Sequence, residues 1–243
     1  ESMFQGCTSL TMVRLPDGLT QIGAKAFKDC TALSGVTDLA GLKSVGDEAF
    51  KNCTSLKDFY FPETLNNIGT GAFGGSSLTQ IDLTACHSLS YIRDQAFADC
   101  TSLAKVFLPD DMFSLRSEAF SGCKSLSEIR LPKNLQSIGW SAFESTRSLR
   151  SIQLPENLTY LDGGVFWGSG LESISIPKGV SEIKSQTFCS CFNLKEITIP
   201  DAVTKIGGSA FAQCWSLTSI CLPEGVTNVD DRAFEDCTAI KVM

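Results

Sequence analysis

The residues able to do chemistry are dominated by one type: the chain of 243 residues holds eleven cysteines and a single histidine, His87, directly after Cys86. A Cys beside a His points to a thiolate and its base, which requires hydrogen-bond reach between the two and a third group to orient the base. Adjacent residues rarely give that geometry and no orienting group is evident, so His87 is expected as a solvent-facing loop residue. One imidazole leaves no His-rich zinc site and no multi-histidine acid–base network. The pairs Asp110-Asp111 and Asp230-Asp231 are too short and isolated for calcium loops and are read as solvated turns. No catalytic residue, metal or cofactor is expected, and the chain is not read as an enzyme.

Net charge is -7, with 20 basic and 27 acidic residues spread along the whole length, which argues against nucleic acid as a partner. No stretch approaches the roughly 18 to 20 consecutive apolar residues of a membrane span, so no membrane insertion is expected. A content of 43% apolar and 19% charged residues supports a packed core.

The elements that position these residues emerge from the phenylalanines. Phe4, Phe27, Phe50, Phe73, Phe97, Phe120, Phe143, Phe166, Phe188, Phe211 and Phe234 are spaced by 22 to 24 residues, almost always 23. They are one structural position visited eleven times. Ala precedes eight of them, and Cys follows three residues later in eight. Next comes an Ile-x-Leu-Pro signature, as in Leu126-x-x-Ile129-x-Leu131-Pro132, and all eight prolines occupy that slot. A second apolar pair then leads into Gly, as in Leu135-x-x-Ile138-Gly139.

Ile-x-Leu is the period-2 alternation of a strand three or four residues long, which Pro ends by removing an N–H donor. The second pair reads as another brief extended segment. Each unit offers roughly six side chains worth about 1.5 to 3 kcal/mol each on burial. Fixing the backbone costs roughly 1 to 2 kcal/mol per residue, so no unit folds alone and neighbours must stack on both faces. The expected architecture is one solenoid over residues 1–243, about ten 23-residue coils of short parallel strands, incomplete and uncapped at both ends.

The unit Cys-x-x-Leu-x-x-Ile-x-Leu-Pro-x-x-Leu/Val-x-x-Ile-Gly-x-x-Ala-Phe resembles the BspA-type, or Treponema-type, leucine-rich repeat of bacterial and protozoan surface proteins. The resemblance covers essentially the whole chain. It implies a right-handed leucine-rich-repeat solenoid with turns or short 3₁₀ segments and little or no regular α-helix. It also implies an extracellular or cell-surface role in adhesion, with a host or matrix protein as ligand.

Where Cys is missing from its slot the chain places Ser76, Thr146 and Ser169. That slot therefore wants a small, mostly buried group that hydrogen-bonds a neighbouring turn, and the cysteines are read as a ladder of free structural thiols. Cys189 and Cys221 are the least regular. Three units depart from the pattern: the one after Phe27 lacks Pro, the one after Phe73 lacks Pro and has an insertion expected to hold Cys86 and His87 in an outer loop, and the one after Phe166 has a turn, Trp167-Gly168-Ser169-Gly170, one residue short.

The alternation sends Ile and Leu inward and the intervening residue outward onto the sheet face. That outward column includes Arg14, Tyr60, Asp82, Phe107 and Arg130, the candidate partner-binding residues. The last four fall on successive coils spanning about 15 Å at about 4.8 Å per coil. Exposed aromatics beside Arg have the composition of protein-binding hot spots. A second set, Tyr91, Trp140, Tyr160 and Trp167, lies around the shorter strand and turns. Two functions follow as expectations: a non-catalytic binding or adhesion module using this face, or a structural spacer displaying other domains.

Overall fold

The computed structural model describes residues 2–241. Its strands are β1 (Met12–Arg14), β2 (Gln21–Ile22), β3 (Gly35–Thr37), β4 (Ser44–Val45), β5 (Asn67–Ile68), β6 (Gln80–Asp82), β7 (Tyr91–Ile92) and β8 (Lys105–Phe107). There follow β9 (Ser114–Leu115), β10 (Glu128–Arg130), β11 (Ser137–Ile138), β12 (Tyr160–Leu161), β13 (Ser173–Ser175), β14 (Glu182–Ile183), β15 (Glu196–Thr198), β16 (Lys205–Ile206) and β17 (Asn228–Val229). All pairing is parallel and runs from coil to coil. Among the described residues there is no helix, and turns rather than 3₁₀ segments join the strands. The two ends expected to be uncapped, Glu1 and Val242 with Met243, lie outside the described residues.

Each coil has three sides. The three-residue strands form the first sheet face, in blocks β1–β3, β6–β8–β10 and β13–β15. The two-residue strands form the second, in blocks β2–β4–β5, β7–β9–β11–β12 and β14–β16–β17. Register follows the repeat, with Val106 between Ile81 and Ile129, and Leu115 between Ile92 and Ile138. The unit after Phe27 obeys it despite lacking Pro, since Val36 pairs with Val13.

The third side is the Ala-Phe turn. Ten successive pairs of repeat phenylalanines stack nearly parallel, with centroids 5.2–5.8 Å apart. Such pairs contribute about 0.5 to 1.5 kcal/mol each beyond the area they bury. Two backbone positions flank every repeat Phe in the left-handed region, two residues before and two after. Around Phe97 they are Gln95 (φ 57) and Asp99 (φ 56). This conformation aims alternate N–H groups at the next coil: Lys25, Phe27 and Asp29 donate to Asp47, Ala49 and Lys51, each at 2.8 Å. The turns thereby make a third parallel ladder.

The thiols complete this side. Cys53, Cys100, Cys123 and Cys214 each donate at 3.2 Å to the carbonyl of the repeat Phe one coil back. Ser76 and Ser169 take the same slot and meet Cys100 and Cys191 at 3.3 and 3.4 Å. Thr146 instead donates to Phe143 of its own coil, 2.7 Å. All eleven cysteines are free.

Candidate protein-binding face

The first sheet is interrupted at residues 58–60, 151–153 and 219–221, and the first of these gaps carries Phe59, with Phe61 directly after it. Most other coils put Val or Ile and then Leu or Ile in these inward slots; here two rings 5.0 Å apart share the space. Phe59 meets Phe50 and Phe73 edge-on, and Phe61 meets Phe73 and Phe97. Residues 58–61 stand out of the ladder, and among the described residues this segment makes no backbone hydrogen bond to β3 or β6. Residues 151–154, which carry the usual Ile and Leu, stand out of it in the same way between β10 and β13, so ring volume is not what opens the sheet. At residues 58–61 the result is a groove of about 720 Å³ between β3 and β6, walled by Met12, Asp58, Tyr60 and Asp82. Tyr60 stands at 64% exposure and Met12 at 56%.

Asp82, Phe107 and Arg130 pair directly in register across β6, β8 and β10, while Tyr60 stands one coil back, outside the ladder. Arg14 pairs in register with Thr37 and lies beyond the groove. One correction concerns Phe107, which occupies an outward position yet is half-buried, so Tyr60 is the exposed aromatic of the set. The cations on this face are neutralised: Arg14 Nε meets Asp38 at 2.6 Å, Lys105 Nζ meets Glu128 at 3.1 Å, and Arg130 Nη2 meets Asp110 at 3.1 Å. Asp58 and Asp82 have no cationic partner among the described residues; Asp82 accepts from the Thr84 N–H and hydroxyl at 3.0 and 2.7 Å.

The Cys86-His87 insertion is present, but its two side chains part company. Cys86 is buried and donates to the Pro62 carbonyl at 3.3 Å, correcting the expectation of an outer-loop thiol. His87 is exposed, and its Nδ1 meets Asp111 at 2.9 Å. Burial pushes the Cys86 thiol up to about 11, and Cys53, Cys100 and Cys191 to about 12, the reverse of what a thiolate nucleophile needs. Among the described residues no three acidic, His or Cys side chains converge as a metal cluster. No helix there is long and apolar enough to cross a membrane.

The second aromatic set divides. Trp167 lines a groove of about 380 Å³ on the turn side with Phe192 and Arg147. Tyr160 carries Lys184 Nζ 4.0 Å from its ring centroid and 2.7 Å from its hydroxyl, with Asp162 at 3.3 Å. Trp140 packs over Gly163, where a Cβ would lie 2.5 Å from its ring. Tyr91 meets two residues that sequence reasoning missed, Arg93 and Arg116, whose guanidiniums lie 5.3 and 5.5 Å from its ring centroid. A signal for them existed. They stand in the Gly slot after the second apolar pair, where a Cβ on Gly139 would come 2.8 Å from the Ser117 nitrogen of the coil before.

Parallel strands stacked by a 23-residue apolar repeat define a leucine-rich-repeat solenoid. The profile of the BspA type Leucine rich repeat region matches in six copies, over residues 1–104, 43–169 and 113–241, and the chain belongs to that family. A leucine-rich repeat protein from Bacteroides ovatus is 28% identical, with a TM-score of 0.66 over 97% of this chain and 73% of its own. The T. pallidum Leucine Rich Repeat protein is 27% identical, with a TM-score of 0.53 over 85% of this chain and 82% of its own. The pneumococcal vaccine antigen PcpA, 20% identical with a TM-score of 0.52 over 93% of this chain and 64% of its own, shares the fold. No curated protein matches this chain.

Proposed function

We propose that this chain is a non-catalytic binding module of a secreted or cell-surface protein, taking a host or matrix protein on its first sheet face. The groove beside Tyr60 carries the reading. It combines an aromatic at 64% exposure with about 720 Å³ of concave space, a shape that a flat parallel sheet does not offer. Two carboxylates without cationic partners, Asp58 and Asp82, select for a basic side chain beside the aromatic contact. Family membership supports a protein-interaction role.

The test is a pull-down against purified host extracellular proteins, followed by affinity measurement on variants. Tyr60→Ala is expected to weaken the captured complex at least tenfold, Asp82→Asn several-fold, and half-buried Phe107→Ala less than Tyr60→Ala. Unchanged affinity for all three removes this face. Capture of nothing favours the spacer.

A further inference from the structure

We propose that the second sheet face holds a separate recognition site for an acidic peptide segment of a partner protein, centred on Tyr91, Arg93 and Arg116. Both guanidiniums lie within 5.5 Å of one ring centroid. Arg93 is fixed further, its Nη2 donating to the Tyr91 hydroxyl at 3.3 Å and its Nε to Asn67 Oδ1 at 3.1 Å. Neither arginine has a carboxylate partner among the described residues. The nearest acids in sequence are engaged elsewhere: Asp94 accepts the Ser117 N–H at 3.0 Å, and Glu118 accepts from Gln95 at 2.9 Å. On a chain of net charge -7, two positioned and uncompensated guanidiniums are a local reversal of sign.

A guanidinium presents a rigid fork of donors that matches a carboxylate in two parallel hydrogen bonds. Holding that fork by a ring and an amide, rather than by a carboxylate, leaves its outer edge open to an incoming anion. The surroundings set the class of ligand. The outward positions of β5, β7, β9, β11 and β12 are Asn67, Tyr91, Ser114, Ser137 and Tyr160, none of them charged. Phe113, just before β9, is 49% exposed. One pair of cations at one end of short strands, with an exposed aromatic at the other end of β9 and neutral polar groups between, suits one or two carboxylates a few residues from an apolar side chain, as in a peptide. A sulfated polysaccharide, with charges on every disaccharide, calls for a denser cationic array than this sheet carries. The site is independent of the Tyr60 groove, which lies on the other sheet.

The experiment pans a random 12-residue phage library on the intact chain and measures the selected peptides by fluorescence anisotropy. Peptides enriched in Asp or Glu a few residues from an aromatic or aliphatic residue are expected. Their affinity should fall at least tenfold on Arg93→Gln with Arg116→Gln and stay unchanged on Tyr60→Ala. Replacing the peptide's acidic residues by Gln or Asn should abolish binding to the unaltered chain, a reading that does not depend on how the double variant folds. Failure to select acidic peptides, or equal affinity for the neutralised peptides, overturns the proposal. In that case a sulfated hexasaccharide and sedimentation of the chain alone tell whether these arginines serve a glycan or a second copy.

Discussion

On the three-residue strands Arg14, Lys105 and Arg130 are each held by a carboxylate; along the two-residue strands Lys184 and Lys205 are held so too, but Arg93 and Arg116, just after β7 and β9, are held by a tyrosine ring. Coil geometry explains the contrast. Residues one repeat apart in the same column face each other across neighbouring strands, so opposite charges there pair with no further device, as in Lys105–Glu128 and Lys195–Glu172. A charge stays available only when its column neighbours are neutral or of the same sign. Arg93 and Arg116 satisfy this: they are adjacent in one column, bounded by Gly69 before and Gly139 after. Asp58 and Asp82 satisfy it too: Asp58 has Gly35 and Gln80 on either side in its column, and Asp82 has Tyr60 and Phe107. The first face thus has carboxylates without cationic partners, and the stretch of the second face at β7 and β9 has cations without carboxylate partners, on a single core.

The strongest way to break the comparison is to remove that shared core. Phe120 is fully buried between Phe97 and Phe143, with centroids 5.6 and 5.8 Å away. Phe120→Ala is expected to cost about 3 to 5 kcal/mol in urea denaturation. It should impair both faces together, because the coil at fault carries β8 and β9. Loss of one face alone would mean that the two sheets are energetically separate.

The next effect acts on the third side. Burial raises the Cys53, Cys100 and Cys191 thiols from 9.0 to about 12, so the folded chain holds these protons more tightly than the unfolded chain does. Stability from them is complete below pH 9 and is lost as pH climbs toward 12, because the unfolded state deprotonates first. Alkaline unfolding should begin above pH 9 and be blunted in Cys100→Ser, whose hydroxyl does not titrate there. A thiol assay without reductant should return eleven thiols in denaturant, with exposed Cys7 and Cys221 reacting first in the native chain. Five disulfides would refute the ladder.

What was legible in the sequence is what repeats. The phenylalanine and cysteine ladders follow from spacing alone, because a fixed period forces equal positions into contact. The left-handed turn positions did not show: of the twenty-two that flank the repeat phenylalanines, only six carry Gly, and residues such as Gln95 and Glu118 give no such signal. Backbone hydrogen bonding between coils stabilises these positions, and that is invisible in one unit. The groove was illegible for a different reason. Tyr60 and Asp82 read as outward positions, but nothing in the residues at 58–61, or in the regular Ile152 and Leu154 of the other opening, marks where the parallel ladder is interrupted. Phe107 was placed outward without a means of judging how its neighbours cover it. Arg93 and Arg116 are readable as breaks in the Ile-Gly motif, at Ile92-Arg93 and Leu115-Arg116.

The smallest expected effect is the sharpest test of the contrast. Arg130→Gln removes an exposed ion pair worth about 0 to 1 kcal/mol. Asp110 retains Lys133 at 3.5 Å, so the loss falls at the low end. Arg116→Gln removes an exposed cation–aromatic contact worth about 0.5 to 1 kcal/mol, and Arg93 remains on the ring. In parallel urea titrations both variants should therefore lie within about 1 kcal/mol of the unaltered chain. If Arg116→Gln instead costs 2 kcal/mol or more while Arg130→Gln costs nothing, the Tyr91 cluster is a structural clamp between β7 and β9. The second face would then have no cation to spare for a partner.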